Sequence, residues 1–399
     1  MEKIIVISVY LFSYLFCTLY YLSIGYVEGD LRGVYLEHPN VLIFSFFQAT
    51  LSLILFAYFS AVISSKLKVK SIKISEDDFF HKFLLLLNVS FFIFSYSYNF
   101  GFSSGNVSQS IPKVPLYFFI LFQPLYLSYI YFAVFIKSKS NLYLVNIFLV
   151  VIFSVYKGWL GPINYVLFLS FIKYKEYILH HKLRFLFISF FFILLVPFIK
   201  ISKVIFMVLN QKDLDSVSEA INDVLFYSTH DNIYDLLIEY FVKTFERFDH
   251  VAILYYFNSK DYSLIYNDEE IASFFQEGWI NERLHSVFSN VNSVYIQEFF
   301  ANKIQSAYSW NVQVPLDARF SFDLYSIPYL SLYVITLLTL TIFLSKLITE
   351  RKELISLNWF IAIGLLFHGW FYSYVLWIQA LVVFFFIYIC KKFLSHVTR

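Results

Sequence analysis

The sequence predicts an all-α polytopic membrane protein of about ten transmembrane helices, with one large, mostly helical loop between helices 7 and 8. Three observations predict it. The 399 residues are 59% hydrophobic and 15% charged, whereas a soluble domain is typically about 25% charged. The apolar residues fall in blocks of membrane-spanning length, and 51 Phe with 33 Tyr suit bilayer cores and their aromatic belts. The basic residues fall in alternate loops, as a chain threading back and forth requires.

The apolar blocks predict helices at Ile4–Ile24, Val41–Ile63, Phe83–Phe100, Leu116–Ile136, Leu142–Val155, Leu160–Ile172, Phe185–Ile199, Ser326–Leu344, Leu357–Gly369 and Phe371–Cys390. Two long runs are divided to reach this set. The run from Leu142 to Ile172 breaks at Lys157-Gly158-Trp159-Leu160-Gly161-Pro162, and the last run breaks at His368-Gly369-Trp370. With the N-terminus inside, the inner segments 64–82, 137–140, 173–184, 345–356 and 391–399, together with Lys3, hold 18 Lys and Arg. The short outer loops hold only Arg32, Lys113 and Lys157. That asymmetry places both termini in the cytoplasm and the Lys157 turn outside. The N-terminal segment, apolar and without an A-x-A-like cleavage site, reads as an uncleaved anchor.

Three regions follow: an N-terminal bundle over 1–205, the large outer loop over 206–325 and C-terminal helices over 326–399. The loop carries 18 Asp and Glu against 7 Lys and Arg, which argues against nucleic acid as a partner. Phe245, Phe248, Tyr255, Tyr256, Trp279 and Trp310 make it apolar enough to fold as a cap on the bundle. Cys17 and Cys390 both lie in apolar helices and suggest neither a disulfide nor a metal site. No P-loop, GxGxxG, HExxH or GxSxG pattern occurs, so nothing points to nucleotide, zinc or serine-hydrolase chemistry.

The candidate site residues lie on the outer side. Ile233 to Phe257 reads as one helix, with Ile233, Leu236, Leu237, Tyr240, Phe241, Thr244, Phe248 and Val251 as its apolar stripe. Lys243, Arg247 and His250 fall at i, i+4 and i+7 and are expected on one face. That face either clamps a phosphate or pyrophosphate, with Arg247 bidentate, or is solvated and stitched by Glu239–Lys243 and Glu246–His250 pairs. Asp249 and His250 are the candidate general bases; a purely structural part is the other reading. Asp317 and Arg319, where the loop re-enters the membrane, either pair with their neighbours or bind a lipid-linked diphosphate. Lys157 either caps its helix or faces a bound anion at the next helix N-terminus. Arg32, beside Glu28 and Asp30, completes the outer charges. His368, near the outer end of the ninth helix, reads most simply as a polar partner in the bundle core.

The ten helices, the large outer loop and the hairpin containing Lys157-Gly158 and Gly161-Pro162 resemble the Wzy-type O-antigen polymerases. The Glu246–His250 stretch, ERFDH, is similar to a basic–acidic element in that family's large loop. The family often carries Arg-Gly at the hairpin; here Leu160-Gly161-Pro162 stands there and Lys157 is the nearby basic residue. The resemblance implies a glycosyltransferase of the bacterial inner membrane that uses no cofactor and no metal. It would join repeat units carried on undecaprenyl diphosphate at the periplasmic face, with lipid as its setting and a chain-length regulator as a candidate partner. The related O-antigen ligases are the first alternative; the absence of a histidine after His285 in the loop favours a polymerase. A flippase or transporter is the second, and the lack of an internal repeat counts against it.

Overall fold

In the computed structural model, the described residues are 2–31, 33–72, 74, 76, 78–98, 100, 111–157, 161–181, 197–198, 201–202, 205, 216, 218–219, 221, 233–259, 277, 296–304, 312–322 and 327–397. They are mostly helical, and six spans are long and apolar enough to cross a membrane: Glu2–Ile24, Pro39–Lys66, Asp78–Ser97, Lys113–Val134, Ile327–Ile348 and Phe371–Leu394.

The first helix, α1 (Glu2–Ile24), ends at Gly25, whose φ of 73° only glycine adopts freely. A short antiparallel hairpin follows, with Tyr26 opposite Tyr35 and Val27 opposite Val34. Pro39 then starts α2 (Pro39–Lys66), where its missing N–H costs nothing. The outer face of α2 differs from that of a soluble helix. Leu42, Ser45, Ala49, Leu53, Phe56 and Ser60 are buried, whereas Phe44, Phe47, Leu51, Leu55 and Tyr58 are exposed at the same helical spacing. An outward face made of bulky apolar residues, with the serines and an alanine turned inward beside leucine and phenylalanine, suits a helix solvated by lipid.

Helix α3 is Asp78–Ser97. The span expected over Leu116–Ile136 consists of two helices, α4 (Lys113–Phe122) and α5 (Pro124–Val134), hinged at Gln123 with φ 46°. Pro124 is the cause, since it has no N–H to give the preceding turn. Gln379 of the last helix repairs the loss: its amide donates to the carbonyls of Ile120 and Leu121 at 2.8 and 2.7 Å.

Both divisions expected of the long apolar runs occur. Helices α6 (Asn141–Tyr156) and α7 (Gly161–Lys173) flank the first, and α8 (Lys175–His180) follows. The helix expected over Phe185–Ile199 lies outside the described residues except for 197–198. In the large loop, α9 is Ile233–Glu246, α10 is Val251–Ser259, α11 is Ile296–Ile304 and α12 is Leu316–Phe322. Helix α13 (Ile327–Ile348) crosses next. Helix α14 (Lys352–Ile361) runs on into a π-helical turn, Ala362–Phe367. The second division falls at His368 and Gly369, and α15 (Phe371–Val397) completes the bundle.

The loop's helix α10 packs against α1, α2 and α12. Val251 to Phe257 are all buried there, and the Tyr255 hydroxyl accepts the backbone N–H of Glu37 at 3.0 Å. Phe245 and Phe248 pack against the same core. This part of the loop is therefore built into the bundle. Trp279 and Trp310 lie outside the described residues.

Candidate functional site

The single helix expected from Ile233 to Phe257 is interrupted. Helix α9 stops at Glu246, and α10 starts at Val251. Asp249 sets the break: its Oδ1 accepts the Val251 N–H at 2.9 Å and its Oδ2 the Ala252 N–H at 3.3 Å. Those bonds satisfy amides that a helix start leaves open. Tyr21 donates its hydroxyl to Oδ2 at 3.2 Å. Both oxygens accept hydrogen bonds, so Asp249 is a helix cap in contact with α1, which is the structural part the sequence left open for it. Burial pushes its carboxyl up to about 6, against the lowering effect of the two amide donors.

The break also corrects the expected common face. Arg247 is exposed in the turn, while His250 is fully buried. Lys243 pairs with Glu239 one turn back and lies over the Tyr240 ring, as its solvated-face reading expected. The expected Glu246–His250 pair is replaced by contacts of His250 with two distant segments.

One is the N-terminus of α12. The Nδ1 of His250 lies 3.3 and 3.4 Å from the two oxygens of Asp317. The other is the end of the π-turn: the Nε2 of His250 lies 2.8 Å from the Nδ1 of His368. Tyr10, Tyr14 and Phe367 wall the pair, the Tyr10 ring centre lying 5.2 Å from that of His368 and the Phe367 centre 4.8 Å from that of His250. The Gln313 side chain also meets the Nδ1 of His368, and the Gln313 backbone N–H donates to Asp30 at 2.9 Å. A carboxylate, two imidazoles and an amide thus form one buried chain drawn from four stretches of sequence.

Arg319, two residues beyond Asp317, is committed elsewhere. Its Nη1 is 2.6 Å from Glu277 Oε1, its Nη2 donates to the Gly369 carbonyl at 3.1 Å and its Nε to the Val314 carbonyl at 3.2 Å. Its guanidinium also lies over the Phe371 ring, 4.3 Å from the ring centre. It joins the loop to the start of α15; of the two readings of Asp317 and Arg319, pairing with neighbours is the one whose contacts are seen. Gly369 makes this junction possible. Its φ is 84°, and a Cβ there would lie 1.8 Å from the Val314 carbonyl oxygen.

Lys157 sits apart from this group. It closes α6 through its backbone N–H to the Phe153 carbonyl at 3.0 Å, and its buried ammonium lies 4.3 Å from the Phe153 ring centre and 4.6 Å from that of Phe91. Arg32 lies outside the described residues. Among the described residues, the structure gathers His250, Asp317 and Arg319 near one another and leaves Lys243, Arg247 and Lys157 outside their contacts.

His368, Gln313 and Glu277 were not singled out by the sequence as site residues. A His-Gly-Trp triplet inside an otherwise apolar run was the one visible signal for His368. Nothing in the chain's linear order announces that residues 250 and 368 meet. No family model matches the chain, and neither the curated proteins nor the solved structures compared with it give a match.

Proposed function

We propose that the chain is a glycosyltransferase that polymerises oligosaccharide repeat units carried on undecaprenyl diphosphate, at the periplasmic face of the bacterial inner membrane. On this reading the chain crosses about ten times, both termini are cytoplasmic, and the end bearing His250 and Arg247 faces the periplasm. A hydroxyl of the acceptor unit attacks the anomeric carbon of the growing glycan. The bond from that carbon to the lipid diphosphate breaks, and undecaprenyl diphosphate leaves. The buried Asp317–His250–His368 chain is the observation that carries the proposal, because such a transfer needs one group to accept the hydroxyl proton. Arg247, exposed three residues before His250, supports the reading as a solvent-facing cation, and on this reading it meets the departing diphosphate.

A strain lacking the protein tests the reading. The expected phenotype is lipid A–core bearing a single repeat unit. Bare core with polymer left on its carrier would assign a ligase, and units stranded inside would assign a flippase. In the complemented strain, Arg247→Ala is expected to abolish long chains at an unchanged membrane level, because the side chain is exposed. A normal chain-length ladder would remove Arg247 from the site.

A further inference from the structure

Away from the histidines, helices α3, α5 and α15 leave a shallow apolar groove between them. Helix α5 packs against both of the others and forms its base. Phe80, Phe83 and Leu84 of α3, Leu127 of α5, and Phe384 and Ile387 of α15 line it. Phe80, Leu84, Leu127 and Phe384 are buried, and the Phe80 ring stacks on Phe384 with 5.5 Å between centres. Phe83 and Ile387 are half-buried at the edges, and exposed Leu86 and Phe386 carry the apolar surface outward. Tyr131 also borders the groove, but its hydroxyl is engaged by Nδ1 of His81. Among the described residues, the lining therefore offers apolar contact alone.

Cations stand at one end of this groove, where α3 begins and where α5 and α15 run toward their C-termini. The Lys391 ammonium lies 5.1 Å from the Phe80 ring centre and 5.8 Å from that of Phe79. Lys82 is exposed on the first turns of α3. Lys137 is exposed just beyond Phe135, whose ring centre lies 5.6 Å from that of Phe80. Each of the three lining helices thus brings a lysine to the same rim. Asp78 and Glu76 stand there too, and both are paired, with Lys82 at 3.3 Å and with His81 at 3.3 Å. We propose that the groove binds an anionic phospholipid, one acyl chain lying between Phe83 and Ile387 and the phosphate meeting Lys391. A zwitterionic phospholipid would fill the apolar part equally well but gains less from the rim. On the sidedness given above the leaflet is the cytoplasmic one, where basic residues beside membrane helices hold anionic headgroups. The site is independent of the glycosyl-transfer reading and does not need it.

Photo-crosslinking tests it. The full-length protein is reconstituted in nanodiscs of phosphatidylglycerol or phosphatidylcholine, each lipid carrying a diazirine in one acyl chain, and the labelled residues are mapped. Labelling at Phe83 and Ile387 is expected to be stronger with phosphatidylglycerol by about fivefold or more, the attraction of one lysine to an anionic headgroup. Equal labelling by the two lipids overturns the proposal. Exposed Tyr58 and Phe59 of α2 are the reference surface. The same preference for phosphatidylglycerol there would mean that the basic inner surface gathers anionic lipid without a site, which also overturns it.

Variants separate the two halves of the site. Lys391→Gln is expected to lower phosphatidylglycerol labelling at Phe83 by about fivefold, and Lys391→Arg to keep it. Ile387→Trp fills the groove and is expected to remove the labelling at Phe83 with the lysines in place. Leu86→Trp, the same kind of change on the exposed face of α3, is expected to leave it intact. Labelling unchanged by Lys391→Gln removes the rim from the site, and labelling unchanged by Ile387→Trp removes the groove. Competition by glycerol phosphate, which has no acyl chain, would put an anion alone at the rim and overturns the choice of a lipid. Should Ile387→Trp fail to fold, the wild-type lipid comparison and the two Lys391 variants still decide the matter. A wild-type chain-length ladder in the deletion strain would sink the polymerase reading and leave the lipid site standing.

Discussion

Asp249 shows how a residue type suited to catalysis also serves backbone chemistry. Replacement with Ala removes the cap and is expected to cost about 1 kcal/mol of stability. Asp249→Asn keeps an oxygen for the α10 amides and is expected to retain the fold and transfer activity; loss of activity with the fold intact would return Asp249 to the reaction. The pH dependence separates the two further. The folded carboxyl titrates at about 6 against an ordinary 3.8, so the folded state binds the proton more tightly. The stability this contributes is present at low pH and is lost as pH rises from about 4 through about 6. Melting temperatures of Asp249→Asn are therefore expected to gain on wild type between pH 4 and pH 7. The cap was legible in the sequence, because an aspartate stands two residues before the start of the apolar run Val251–Phe257. The apolar stripe continuing across that point hid it, since Phe248 and Val251 keep helical spacing through the break.

At the scale of elements, two breaks were legible for the same reason. Lysine with glycines and proline, and histidine with glycine, interrupt apolar runs too long for one crossing, and helices end at both. The hinge at Gln123 was carried by an equally plain signal, Pro124, yet one span was expected there. A proline inside a membrane helix is tolerated when another group satisfies the freed carbonyls, and Gln379, far along the chain, does so. Gln379→Ala is expected to lower stability by about 1 kcal/mol, read as a drop in melting temperature in detergent. No loss would show that the carbonyls are satisfied another way. The junction of Gly369 with Val314 is stricter. Gly369→Ala forces a methyl into a space of 1.8 Å, and membrane levels of folded protein are expected to collapse; normal expression would refute the close approach.

For the whole molecule, the six long apolar spans and the lipid-facing side of α2 define a membrane-embedded chain, and the interior between them is largely aromatic and aliphatic. Composition and block length carried that much. The histidine pair belongs to a different class of information, because residues 118 apart meet only after the loop has folded back onto the π-turn. The sidedness proposed for the site is open to direct measurement. In the cysteine-free background, Arg247→Cys is expected to react with an impermeant maleimide added to intact cells whose outer membrane has been permeabilised. Lys82→Cys is expected to react only after the inner membrane is opened. The opposite pattern would end the glycan-polymerase reading.

The contact of Gly369 with Val314, held by Arg319 on the same carbonyls, also limits how anything can reach His368. Backbone touches backbone there, so that seam cannot part like a lid without undoing the start of α15. Entry to the histidines must come from another side, and the stretch 312–322 behaves as part of the floor. A protease site inserted just ahead of Val312 should then yield two fragments that still purify as one particle.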